Sequence, residues 1–353
     1  MNLAVLDISS NTFSGGFKTR DLCVAPVKAL RFSRNGFSGE ILAGFGRCRM
    51  LAELSIDGSG LTGNLPSDLY TLSELRRLSL RENQFFGGLS EYLGDIALDF
   101  NLLPRLNVLD AGSNMLSGAI PPSLMWCTEL KTLNFGRNKL EGEIPESFKN
   151  LRSLPHLSLV HNGFTNLSLA LRVLQHLPKL TSLVLTKNLR GVETLPMDGI
   201  SGFKSLQVLV LAHCALSGRI PPWLQNLESL RVLDLSWNKL NGTIPLWLGN
   251  LNNLFYVDLS NNSFSGELPE SFTQLKSLLS SNYSNEHASI EGFPLFKKNS
   301  ADKAIEVAGG ALVCHLLEEW NELSSPYDPA SECSSVLPFE CNQVQWIRHA
   351  FPG

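Results

Sequence analysis

The 353-residue chain lacks any apolar run near the ~18 residues that crossing a bilayer requires. Its first residues, MNLAVLDISSN, hold no basic stretch followed by an apolar one, so no secretion signal is visible. It also lacks an excess of either charge. Lys and Arg number 29 against 33 Asp and Glu, a formal charge of −4, which argues against nucleic acid or an anionic membrane surface as a partner. Charged residues make up only 18% while hydrophobic residues reach 43%, a composition that folds. The seven cysteines are odd in number and show no paired spacing. No CxxC or HExxH is present, and His156 and His161, five apart, lie on different parts of the repeat. No GxSxG elbow occurs. These absences exclude an obvious metal or hydrolase site, and no cofactor is expected.

What is present is a repeat. Leu230-Arg-Val-Leu-Asp-Leu-Ser-Trp-Asn238-Lys-Leu-Asn-Gly-Thr-Ile-Pro245 is followed by Leu254-Phe-Tyr-Val-Asp-Leu-Ser-Asn-Asn262-Ser-Phe-Ser-Gly-Glu-Leu-Pro269. The frame LxxLxLxxNxLxGxIP recurs with its asparagine position at Asn11, Asn35, Ser59, Asn83, Asn114, Asn138, Asn162, Asn188, Cys214, Asn238 and Asn262. The spacing is 24 residues except for one step of 31 and two of 26. Each LxL pair reads as a short strand with one buried face. A single repeat buries its leucines only against its neighbours, so the repeats stack as a solenoid.

The expected fold is therefore a leucine-rich-repeat solenoid with a curved parallel sheet on its concave face. The convex face should carry extended GxIP segments and 3-10 or short helical turns, because proline restricts the residue before it and lacks a donor. The asparagine amides should satisfy backbone groups between coils, with Ser59 and Cys214 as weaker substitutes. The 31-residue step places a loop near Asp95–Leu103, and the apolar spacing in Asn166–Leu177 predicts a convex helix. Cys48 and Cys127, in convex segments, read as buried small apolar groups. Periodicity stops after Leu278. The expected division is eleven repeats over 1–278, an interrupting segment over 279–300 and a divergent, poorly ordered tail over 301–353, where Cys314, Cys333 and Cys341 lie.

The frame with Ser before Gly, LxxLxLxxNxLSGxIP, resembles the extracellular repeats of plant leucine-rich-repeat receptor kinases and receptor-like proteins. The segments LQVLVLAHCALSGRIPPWL, LRVLDLSWNKLNGTIPLWLGNLNNLFYVDLSNNSFSGELPESFTQLKSL and FPLFKKNS look like the ectodomain of phytosulfokine receptors, with FPLFKKN at the start of their island segment. The resemblance covers about residues 1–300. It implies a receptor on the extracellular side of the plasma membrane that binds a short tyrosine-sulfated peptide hormone, with a co-receptor kinase ectodomain as a further partner. Matched register by register, it places ligand contacts on Arg81, Asn134, Ser158, Thr186 and Asp234, and on Phe296 and Lys297 of the island. Val160 falls where the family has a hydroxyl. The family's kinase motifs, transmembrane helix, secretion signal and end cap have no counterpart in this sequence. The chain is accordingly expected to be a non-enzymatic, truncated piece of a longer array.

Independently of the resemblance, the strand positions two, four and six residues before each ladder residue should point outward from the concave face, the default binding surface of a solenoid. Those columns read as polar and hydroxyl-rich, which suits an extended peptide and a sulfate ester. From Arg81 to Asp234 they span roughly 29 Å at about 4.8 Å per strand, against about 17 Å for five extended residues. Four sequons, at Asn166, Asn241, Asn261 and Asn282, point to secretory ancestry and to glycosylation. Two other functions fit the repeat: a receptor-like protein for a pathogen or cell-wall ligand, and an inhibitor of a secreted wall-degrading enzyme.

Overall fold

A computed structural model describes residues 3–16, 23, 26–89, 100–188 and 191–275. These lie in a compact unit, Met1–Leu278, and residues 279–353 lie outside the described residues. The interrupting segment, the tail and the three tail cysteines therefore lie outside the description, as do residues 95–99 of the 31-residue step.

Eleven three-residue strands form one parallel sheet in strict sequence order, from Val5–Asp7 and Ala29–Arg31 through Thr132–Asn134 to Val232–Asp234 and Tyr256–Asp258. The register repeats at every step: Asn134 faces Ser158, Ser158 faces Val184, and Val210 faces Asp234. The central residue of each strand points inward. Leu54, Leu133, Leu157, Leu183 and Leu233 are fully buried, as are their partners two residues later, Ile56, Phe135, Leu159, Leu185 and Leu235. The core is thus one leucine row per column, continuous from coil to coil.

The asparagine ladder closes the backbone. Asn138 donates to Ala111 O of the preceding coil at 3.0 Å and to Phe135 O and Gly136 O of its own, and its Oδ1 accepts from Leu116 N. Asn35, Asn83, Asn114, Asn162, Asn238 and Asn262 make the same pattern. Cys214 fills the same place with a thiol that donates to Leu185 O and Ala212 O. Burial pushes that thiol up to about 12, so it stays protonated and can donate. Ser59 is too short: its Oγ is buried with no partner.

The GxIP segments are more regular than extended convex pieces. They form parallel sheets of their own, one of seven strands from Ser14–Gly16 to Gly163–Phe164 and one of four from Glu193–Thr194 to Ser263–Phe264. The glycine of the frame sits at φ +83° in Gly142 and +80° in Gly242, a backbone state that favours glycine. Extended Pro145 and Pro245 then lead into 3-10 turns, Glu146–Asn150 and Leu246–Asn250.

The gap between these two sheets coincides with the helix in the first 26-residue step. Leu167–Leu174 is α-helical and buries Leu167, Ala170, Leu171, Val173 and Leu174. Asn166 caps it, its side chain accepting from Leu169 N at 3.1 Å. The Glu193 carboxylate of the next coil accepts from Asn166 N at 2.8 Å and Leu167 N at 2.5 Å, where the helix leaves donors unpaired.

One expectation is overturned. Cys48 is not a free apolar group but is disulfide-bonded to Cys23, with a Cα separation of 4.7 Å. The two lie 25 residues apart, about one coil, so stacking brings them together. Cys127 is the buried free thiol expected of it, pushed up to about 12 by burial.

Candidate functional site

Strand alternation and one shared register place the outward columns in a continuous field. Arg81, Asn134, Ser158, Thr186 and Asp234 belong to it, on coils four, six, seven, eight and ten. The local chemistry differs along it.

At the first coils the field is a charge network. The Arg31 guanidinium holds Glu53 through two bonds of 2.9 and 2.6 Å and approaches Asp7 at 3.6 Å. That pairing holds the Glu53 carboxyl below its ordinary range. Asp57 is a hub: it accepts from Ser33, Ser55 and Ser79 hydroxyls and from Arg81 N. The Arg81 side chain is exposed and pairs with the neighbouring Glu82 at 2.9 Å. Its guanidinium is available to a ligand that competes with one exposed carboxylate, a weak rival.

In the middle coils the candidates share a turn motif. Asp110 accepts from Gly112 N at 3.1 Å and from Asn134 Nδ2 at 2.9 Å, and Asn134 Oδ1 accepts from Gly136 N at 3.0 Å. Asp234 accepts from Ser236 N and Oγ, and Asp258 from Ser260 N. Asn134 and Asp234 therefore already serve the backbone two residues ahead. Burial raises the Asp234 carboxyl to about 6, with repulsion from Asp258 adding to it.

Ser158, Thr186 and Asp234 are buried. Among the described residues the hydroxyls of Thr186 and its column neighbour Ser182 are buried without a hydrogen-bond partner. Buried hydroxyls are rarely left unpaired in folded proteins.

The polar reading of the face holds only in part. On coils eight to ten the outward positions include Val184, Val208, Val210, Ala212 and Val232, all buried. The column count that found Thr186 also passes through these residues. They make an apolar patch between Ser158 and Asp234. Phe296 and Lys297 lie outside the described residues. Among the described residues, no group of three or more His, Cys, Asp or Glu is arranged to hold a metal ion. No helix among them is long and apolar enough to cross a membrane.

Of the described sequons, Asn241 and Asn261 are exposed. Asn166 is engaged at both ends, capping the helix and donating to Glu143 at 2.8 Å.

The chain matches leucine-rich-repeat family models over residues 178–240, 129–151 and 253–275. It is 47% identical over 78 residues to "Phytosulfokine receptor 1" of Arabidopsis thaliana, covering 22% of this chain and 8% of that protein. It is 43% identical over 135 residues to "Receptor-like protein 3" of the same plant, covering 37% of this chain and 18% of that protein. The chain thus matches less than a fifth of the length of these relatives. Among solved structures it is similar to the plant peptide hormone receptor RGFR1 in complex with RGF2, with a TM-score of 0.64 and 26% identity over 78% of this chain and 46% of that one.

Proposed function

We propose that this chain, a leucine-rich-repeat array of the plant receptor ectodomain type, binds an extended, tyrosine-sulfated peptide across its concave face. The observation that carries the reading is the field itself. An exposed Arg81 and the amide of Asn134 stand on one side of an apolar valine patch, and the unpaired Thr186 hydroxyl stands within it. A peptide with charged sulfate esters on aromatic rings needs that combination: donors for the esters and an apolar bed for the rings. Ser158 and Asp234 lie at the near and far borders of the patch, and Phe296 and Lys297 belong to the same proposal as the island side of the site. The reading extends to a co-receptor kinase ectodomain as partner and to the extracellular side of the plasma membrane as the location. Similarity to phytosulfokine receptor 1 and to a peptide hormone receptor supports it.

A second reading has its own support. The match to receptor-like protein 3 is longer than that to phytosulfokine receptor 1 and of similar identity. A receptor-like protein would present the same face to a pathogen or cell-wall ligand. Titrating the secreted full chain with sulfated pentapeptide, its unsulfated form and wall oligosaccharides separates the two. The first reading expects sulfate-dependent binding of the peptide. Saturable binding of the oligosaccharide alone would replace it with the second.

A further inference from the structure

The residue immediately before each ladder position forms a column that the binding-face count does not include. In all eleven coils it has left-handed backbone, with φ between +51° and +61°: Arg34, Arg137, His161, Lys187, His213 and Trp237 are among them. Each of the first ten donates its backbone N–H to the next coil, as Arg137 N does to Val160 O, His161 N to Thr186 O, Lys187 N to Ala212 O and His213 N to Ser236 O. The column therefore rises one residue per coil along the rim of the concave sheet.

Over coils six to nine this rim carries Arg137, His161, Lys187 and His213, with no acidic residue in the column between them. In a chain of net charge −4 this is a local reversal of sign. Among the described residues neither Arg137 nor Lys187 has an ion-pair partner, as holds for many but not all of the basic side chains; Arg31, Arg81, Arg105, Lys149 and Arg172 are paired. The groups also feel one another. Arg137 is held below its ordinary value by burial and by Arg81, against a smaller opposing pull from Glu82; Lys187 is held down by burial and Arg137, and His161 by burial and both Lys187 and Arg137. Arg137 and Lys187 are thus like charges two coils apart with imidazoles beside them, and their repulsion costs free energy that an anion would relieve. At the far end His213 stacks on the exposed Trp237, with ring centroids 4.9 Å apart and planes 9° from parallel.

We infer that this rim is an interaction surface for an acidic peptide segment lying in extended form along the solenoid axis, distinct from the concave columns. The spacing supplies the register. Three coil steps from Arg137 to His213 span about 14 Å, and same-side residues of an extended chain recur every ~6.7 Å. Acidic residues at alternate positions thus meet the rim three times, as carboxylate against guanidinium, ammonium or imidazole.

The test is fluorescence anisotropy with the full chain and two labelled pentapeptides of one composition, Glu-Ser-Glu-Ser-Glu and Glu-Glu-Glu-Ser-Ser. The alternating peptide should bind at least fivefold tighter, and its affinity should fall between 50 and 150 mM salt. Arg137→Ala with Lys187→Ala should weaken it at least tenfold. Arg137→Gln with Lys187→Gln, which keeps the side-chain stems, should do the same. Lys149→Ala with Arg172→Ala removes equal charge from paired sites elsewhere and should leave binding unchanged. Equal affinity for the two peptides, no binding of either, or equal loss in the control would overturn the inference. None of these variants touches Arg81 or Asn134, so failure here is separable from failure of the sulfated-peptide reading.

Discussion

Asn138 spends every polar atom of its side chain on backbone groups, three carbonyls and one N–H. That is why asparagine recurs with the period of the coil, and why the ladder was legible from the sequence alone. The same logic gives a repair. At Ser59 the hydroxyl reaches nothing, although it stands in the ladder between Asn35 and Asn83. Ser59→Asn should add the missing bonds and raise stability by about 1 kcal/mol, read as a shift of the urea midpoint. An unchanged or lower midpoint would mean that the coil has closed around the serine. Asp234 is the converse case, where spacing revealed the position but not its environment. Its folded pKa, about 6, lies above the value of an unfolded aspartate. The fold is therefore favoured below about pH 4 and loses that contribution as pH rises through 6. Asp234→Asn keeps the acceptor for Ser236 N. It should stabilise the protein by an order of 2 kcal/mol at pH 7.5 and by almost nothing at pH 4, as followed by melting at both pH values.

Among elements, the strands and the helix follow directly from apolar spacing, since LxL has period two and Leu167–Leu174 has helical period. Two features do not. The pairing of GxIP segments into second sheets is a consequence of stacking, because neighbouring coils bring equivalent extended residues side by side. The Cys23–Cys48 link arises the same way: a separation of one coil, rather than a local motif, makes the pair. Element context also sorts the sequons. Asn166 is the helix cap and donates to Glu143, whereas Asn241 and Asn261 are exposed. When the chain is expressed through a secretory route, peptide mapping by mass spectrometry should find glycan at Asn241 and Asn261 and little or none at Asn166. Full occupancy at Asn166 would contradict the Nδ2–Glu143 contact as described, since a glycan on Nδ2 crowds Glu143, while the cap through Oδ1 would persist.

Across the whole array, each coil repeats its neighbour, so local pattern becomes a surface. Eleven strands in one register turn scattered positions such as Arg81, Asn134 and Thr186 into a single field, and counting back from the ladder located each of them. What the count by polarity missed was the valine patch through Val208 and Val210, because hydroxyls and charges were sought where apolar side chains also contribute. The rim of Arg137, His161, Lys187 and His213 was missed because left-handed backbone, not strand alternation, presents it. The central claim is that the concave field binds a sulfated peptide. It is tested most directly by calorimetric titration of the full chain with a tyrosine-sulfated pentapeptide, repeated on Arg81→Ala and Asn134→Ala. The account predicts saturable binding that is lost without the sulfate and weakened about tenfold or more in each variant, or at least 1.4 kcal/mol. Absence of binding, or affinity unchanged by either substitution, would contradict it.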